Sequence, residues 1–167
     1  MEQITTKYRF ETPSIHLVVG AKVTDIQGMH TLLQQEGCPN GENKFTDEPK
    51  AIYLDALQER IAKHNKTDKK SSVDYAICVA NHRVMLAEAK FKVGKVENID
   101  KKELEKKIYD TKSILRMDDY SFLEKNFILF KSETLQPTKI GKLARKFSNS
   151  PKYKFITATE FYDLFEH

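Results

Sequence analysis

Residues 73–93, reading VDYAICVANHRVMLAEAKFKV, constrain this chain more than any other stretch. Two runs rich in β-branched and aromatic residues, 73–80 and 84–93, flank the polar break Asn81-His82-Arg83. That pattern predicts a β-hairpin. Side chains alternate across a strand, so Val73, Tyr75, Ile77 and Val79 share a face with Met85, Ala87, Ala89, Phe91 and Val93. The opposite face collects Asp74, Ala76, Cys78, Leu86, Glu88, Lys90 and Lys92. Charged groups in an apolar strand are costly unless something pairs with them. A three-residue loop at 81–83 would set Asp74 opposite Lys90 and Ala76 opposite Glu88. The two carboxylates would then be diagonal neighbours, about 7–8 Å apart at the backbone. A two-residue loop would send them to opposite faces. On the first register a divalent cation held by Asp74 and Glu88, with Lys90 beside it, supplies the missing pairing. The tripeptide E-x-K occurs four times in the chain, and only Glu88-Ala89-Lys90 lies in an apolar alternating strand that follows another acid-bearing strand.

Asp74 followed by Glu88-x-Lys90 on the next strand of a hairpin resembles the PD-(D/E)XK nuclease superfamily, the restriction-endonuclease-like fold. The resemblance spans residues 47–131 and departs from the family at Val73, where a proline usually stands. It implies an α/β (α+β) domain with an α-β-β-β-α-β core, a mixed sheet whose central hairpin is flanked by helices. It also implies Asp74, Glu88 and Lys90 as the catalytic group. Asp74, Glu88 and the Ala89 carbonyl would bind Mg²⁺ or Mn²⁺, and Lys90 would orient or help deprotonate the attacking water. The partner it implies is nucleic acid, DNA ahead of RNA, and a homodimer is compatible with it.

At 167 residues and 40% hydrophobic content the chain fits a single globular domain. No apolar run reaches membrane-spanning length, and the first 14 residues lack the apolar segment of a signal peptide. Cys38 and Cys78 are too few for a disulfide framework or a structural zinc site. The expectation is a reduced, cytoplasmic protein. Net charge is only +4, but the basic residues cluster at 63–70, 90–107, 112–116 and 139–154. A phosphate backbone suits such a distribution. Candidate contacts are Lys92 on the hairpin, Lys106 and Tyr109 on a helix, and Lys139, Lys142, Arg145 and Lys146 in KIGKLARK.

The remaining pattern predicts a strand at 14–23 and a helix over 25–36 capped by Asp25 and stopped by Gly37. A second helix runs from 46 or 47 to 65, with Pro49 in its first turn, Leu54, Leu57 and Ile61 inward, and Asp55 and Glu59 outward. That leaves only 67–72 for a first strand. A helix over 98–116, capped by Asp100, buries Leu104, Ile108, Thr111 and Leu115. Residues 126–130 form a central apolar strand, and 139–146 a short basic helix or turn. A brief strand at 155–156 precedes a capping box at 157–160, which opens a last helix docked by Phe161, Leu164 and Phe165. Phosphate-loop, dinucleotide and zinc-ligand spacings are absent, as is any pairing that would activate a covalent nucleophile. Two other readings stay open. One is a non-catalytic nucleic-acid-binding or protein-interaction module on the same fold. The other is an interaction protein in which Asp74 and Lys90 form an ordinary cross-strand ion pair.

Overall fold

The computed structural model describes residues 7–13, 23–115 and 119–167. Apart from Val23, the strand expected at 14–23 lies outside the described residues. Among the described residues the structure is mixed α/β, with one seven-stranded sheet and five helices.

The first helix is shorter than expected. Val23–Asp25 is a 3-10 turn, Ile26–Gly28 is strand β1, and helix α1 covers Met29–Gln35. Gly37 ends this region at φ +90°, which suits glycine. Asp25 does not cap α1. It is buried, and Arg60 grips both of its oxygens at 2.6 and 2.7 Å. Asp47, expected to cap the second helix, instead reaches α1 and accepts from the Thr31 N–H at 2.8 Å and the Thr31 hydroxyl at 2.9 Å. Its close approach needs Gly28, where a Cβ would meet Asp47 atoms at 2.2–2.5 Å.

The second helix also begins later. Lys50–Tyr53 is strand β2, and helix α2 covers Leu54–Asn65. The sequence pattern merged them because Leu54, Leu57 and Ile61 extend back to Pro49 without interruption. Burial separates them: Ala51 and Ile52 are both fully enclosed, and β2 pairs with β1 on one side and β3 on the other. The short segment 67–72 forms no strand.

Strands β3 (Tyr75–Val79) and β4 (Arg83–Ala89) are the predicted hairpin, in a different register. Val79 pairs with Arg83, so the three-residue loop is Ala80-Asn81-His82 and not 81–83. Asn81 and His82 take left-handed conformations, φ +70° and +54°, and the Arg83 Nε donates to the Ala80 carbonyl at 2.9 Å. That turn completes the reversal one residue early. The register shifts by two, which keeps every side chain on its predicted face.

Helix α3 (Lys101–Ile114) follows its prediction, with the Asp100 side chain accepting from the Glu103 N–H at 3.1 Å. Two-residue β5 (Ser121–Phe122) pairs with β4. Strand β6 (Asn126–Phe130) is buried throughout. Helix α4 covers Pro137–Lys146, and strand β7 covers Tyr153–Thr157. Helix α5 (Ala158–Asp163) opens with the expected capping box of Thr157 and Glu160.

The sheet order is β1-β2-β3-β4-β6-β7. It is antiparallel as far as β4 and parallel from β4 through β6 to β7. One face packs against α2, α3 and α4 through Leu57, Leu104 and Leu143. The other packs against α1 and α5 through Leu32, Phe161 and Phe165. Both faces of the hairpin are therefore buried, which excludes a solvent-facing strand at Glu88. The sheet extends beyond residues 47–131 on both sides. Among the described residues no helix is long and apolar enough to cross a membrane.

Candidate active site

Continuing the hairpin register one step past Tyr75↔Ala87 places Asp74 directly opposite Glu88. A three-residue loop at 81–83 would instead set Asp74 opposite Lys90 and the two acids on a diagonal. In the structure the carboxylates face each other more closely than that. Glu88 is 1% exposed. Its Oε1 accepts from the Asp74 backbone N–H at 3.2 Å, and Asp74 Oδ2 accepts from the Ala89 N–H at 2.8 Å. Each acid is thus tied to the backbone of the other's strand. Ala89 meets the site here through its N–H.

Two lysines converge on Glu88 Oε2. Lys107 donates at 2.7 Å from α3, and Lys90 stands at 3.4 Å from the end of β4. Lys107 was not foreseen. It lies on the same face of α3 as the buried Leu104 and Thr111 (i−3 and i+4), a cue that could have marked it as inward-pointing. The expected helix contacts turn elsewhere. Lys106 pairs with Asp110 at 2.6 Å along the helix surface. Tyr109 is 76% exposed and, two residues on, projects about 200° away from Lys107.

Glu36, at the end of α1, was also missed. It lines a cleft of about 250 Å³ together with Asp74, Glu88, Ala89, Lys90, Lys92 and Lys107. Tyr53, at the end of β2, donates its hydroxyl to Glu36. Glu36 precedes the stretch that carries the motif, and only the pairing of β1 and β2 brings it near.

The electrostatics follow from this crowding. Burial first, and then the charge of Glu88, raise the Asp74 carboxyl well above the usual carboxylate range, with Glu36 adding to the effect and the Ala89 N–H opposing it. Burial pulls the Lys107 ammonium down, but Glu88, with Asp74 and Glu103, more than offsets it and leaves it above the ordinary lysine value. Desolvation and the facing carboxylate thus favour the protonated form of Asp74, while Lys107 and Lys90 stand on Glu88.

The donor set fits a small hard cation. Both ligands are carboxylates, and Mg²⁺ is commonly held by one or two carboxylates plus water and substrate phosphate. Among the described residues no group of three or more His, Cys, Asp or Glu side chains is assembled to hold a metal by itself. A cation here would share its coordination with solvent or substrate.

The basic residues expected to meet phosphate are dispersed. Lys92 is exposed at the cleft. Lys139 and Lys142 both reach Glu97, at 3.0 and 3.2 Å. Lys146 donates to the Glu97 and Ile99 carbonyls. These three fasten α4 to the 3-10 turn Val96–Asn98. Arg145 is exposed and makes no ion pair among the described residues.

No protein-family model, curated protein or solved structure matches the chain.

Proposed function

We propose that this chain is a Mg²⁺- or Mn²⁺-dependent nuclease of the restriction-endonuclease-like class, cleaving phosphodiester bonds of DNA or RNA. The observation that carries the reading is the direct opposition of Asp74 and Glu88 on adjoining buried strands, with Lys90 and Lys107 on the same carboxylate. Two acids facing each other oppose folding, and a cation bound between them would relieve that cost. The chain order supports it too. Leaving out the edge strand β1, the interposed α2 and the two-residue β5, the elements α1, β2, β3, β4, α3 and β6 follow the α-β-β-β-α-β pattern that the sequence resemblance implies.

In this reading Asp74 and Glu88 hold the cation, with the Ala89 carbonyl as a further ligand. A bound Mg²⁺ supplies Lewis-acid polarisation of the phosphate and lowers the pKa of its water. Lys90 orients the attacking water, and Lys107 offsets negative charge as it develops. Lys92 stands at the mouth of the cleft to receive the flanking backbone. The test is cleavage of a labelled duplex and of a single strand, with Mg²⁺, Mn²⁺ or chelator. Activity that needs the metal and vanishes in Glu88→Gln supports the assignment. A chain that binds DNA with the same affinity in metal and in chelator, and cleaves in neither, is the non-catalytic binding module instead.

A further inference from the structure

The lining of the cleft carries formally balanced charge: Glu36, Asp74 and Glu88 stand against Lys90, Lys92 and Lys107. A divalent cation that enters such a site must displace an ammonium or arrive with an anion. The carboxylate oxygens show which ammonium stands in the way. Glu88 Oε1 accepts from the Asp74 backbone N–H, and Asp74 Oδ2 from the Ala89 N–H. Glu88 Oε2 instead holds the Lys107 ammonium at 2.7 Å, with Lys90 farther off at 3.4 Å. The nearer contact is a charge-assisted hydrogen bond on an enclosed carboxylate. A cation shared by Asp74 and Glu88 competes for that same oxygen.

Lys107 has a second seat. Glu103, four residues earlier on α3, stands 3.6 Å from the same ammonium. The Glu103 side chain is 58% exposed, so a pair formed there is open to water, whereas the pair at Glu88 is enclosed. Lysine is a compact charge on a flexible four-carbon stem. Rotation of that stem carries the ammonium from one carboxylate toward the other with α3 in place. Lys90 has no such alternative, since Glu88 is its one ion-pair partner among the described residues.

We propose that Lys107 is a two-position lysine, which holds Glu88 Oε2 in the metal-free chain and moves to Glu103 when Mg²⁺ or Mn²⁺ takes that oxygen. This rests on the nuclease reading and adds an order of events to it: Lys107 is free to meet a phosphate only after it has left Glu88. The buried acid thereby stays paired in the metal-free chain, and the grip on the cation is weaker for it.

Calorimetric titration of Mn²⁺ into the full chain tests the exchange. Lys107→Met binds Mn²⁺ at least about tenfold more tightly than the wild type, because a charge-assisted competitor is gone. Lys90→Met removes the same charge from the same oxygen at longer range, and tightens binding less than about threefold. Glu103→Gln weakens Mn²⁺ about threefold or more in the wild-type background and changes nothing in Lys107→Met. Mn²⁺ also raises Tm further in Lys107→Met than in the wild type. Lys107→Gln, which keeps a donor for Glu88, replaces Lys107→Met if that variant fails to fold. Equal affinity in the wild type and Lys107→Met overturns the exchange. So does equal tightening by Lys90→Met, which marks a field effect common to both lysines, or a Glu103→Gln loss that persists in Lys107→Met. Mn²⁺ that binds none of these chains up to about 10 mM removes the cation site itself, and the exchange with it.

Discussion

Replacing Asp74 with asparagine keeps the side-chain shape and removes one of two facing charges, and the metal-free protein is expected to become more stable for it. Burial and the charge of Glu88 raise the Asp74 carboxyl above its ordinary value of 3.8. A group whose folded pKa lies above its unfolded pKa takes up a proton on folding. Its contribution is full below the unfolded value and is lost as pH rises toward the folded one. Each pH unit in that window is worth about 1.4 kcal/mol, so a ceiling of about 5 kcal/mol accumulates between pH 4 and pH 8. The Ala89 N–H bond favours the charged carboxylate and lowers this, as does relaxation around the pair. A net gain of about 2 kcal/mol at pH 8 is the working expectation. The asparagine oxygen still accepts from Ala89, and its amide donates to Glu88. For a chain of this length, about 2 kcal/mol corresponds to a Tm rise of about 4–8 °C. Thermal melts between pH 4 and pH 9, with and without Mn²⁺, read the effect. The variant should gain on the wild type as pH rises, and Mn²⁺ should raise Tm in the wild type alone. A variant that melts lower at pH 8, a gap that does not widen with pH, or a Mn²⁺ shift that survives the substitution would refute the reasoning.

Lys107→Met should cost about 2–3 kcal/mol in urea unfolding, because it strips the 2.7 Å partner from a buried carboxylate. Lys90→Met, which removes the 3.4 Å partner, should cost under about 1 kcal/mol, and the reverse order would remove Lys107 as the principal counter-ion. Arg60→Ala deprives buried Asp25 of its bidentate partner and should cost about 3 kcal/mol, part of which Asp25→Asn restores in the double variant. Thr157→Ala breaks the capping box of α5 and should lower stability by about 1 kcal/mol, measured by chemical denaturation.

What could be read from the amino-acid order was local. The hairpin, Asp100 and its helix, the buried strand 126–130, and the capping box at Thr157 are all set by alternation, helical period or a cap within a few residues. The parity that puts Asp74 and Glu88 on one face was legible for the same reason, since any odd loop preserves it. Which residue lay opposite which was not, because the turn depended on left-handed conformations at Asn81 and His82. Neither propensity nor pattern assigned β2, because its enclosure comes from β1, β3 and both layers of helices. Lys107 and Glu36 reach the cleft from 19 residues after and 38 residues before the nearer acid, Glu88 and Asp74 respectively. Only the stacking of α3 and the pairing of β1 with β2 bring them there. The lysines of α4 looked available for phosphate until the fold supplied Glu97. Short-range order fixed which side chains share a face, because backbone geometry repeats every two or 3.6 residues. Long-range packing decided which charges meet, because that depends on surfaces brought together only once the sheet is assembled.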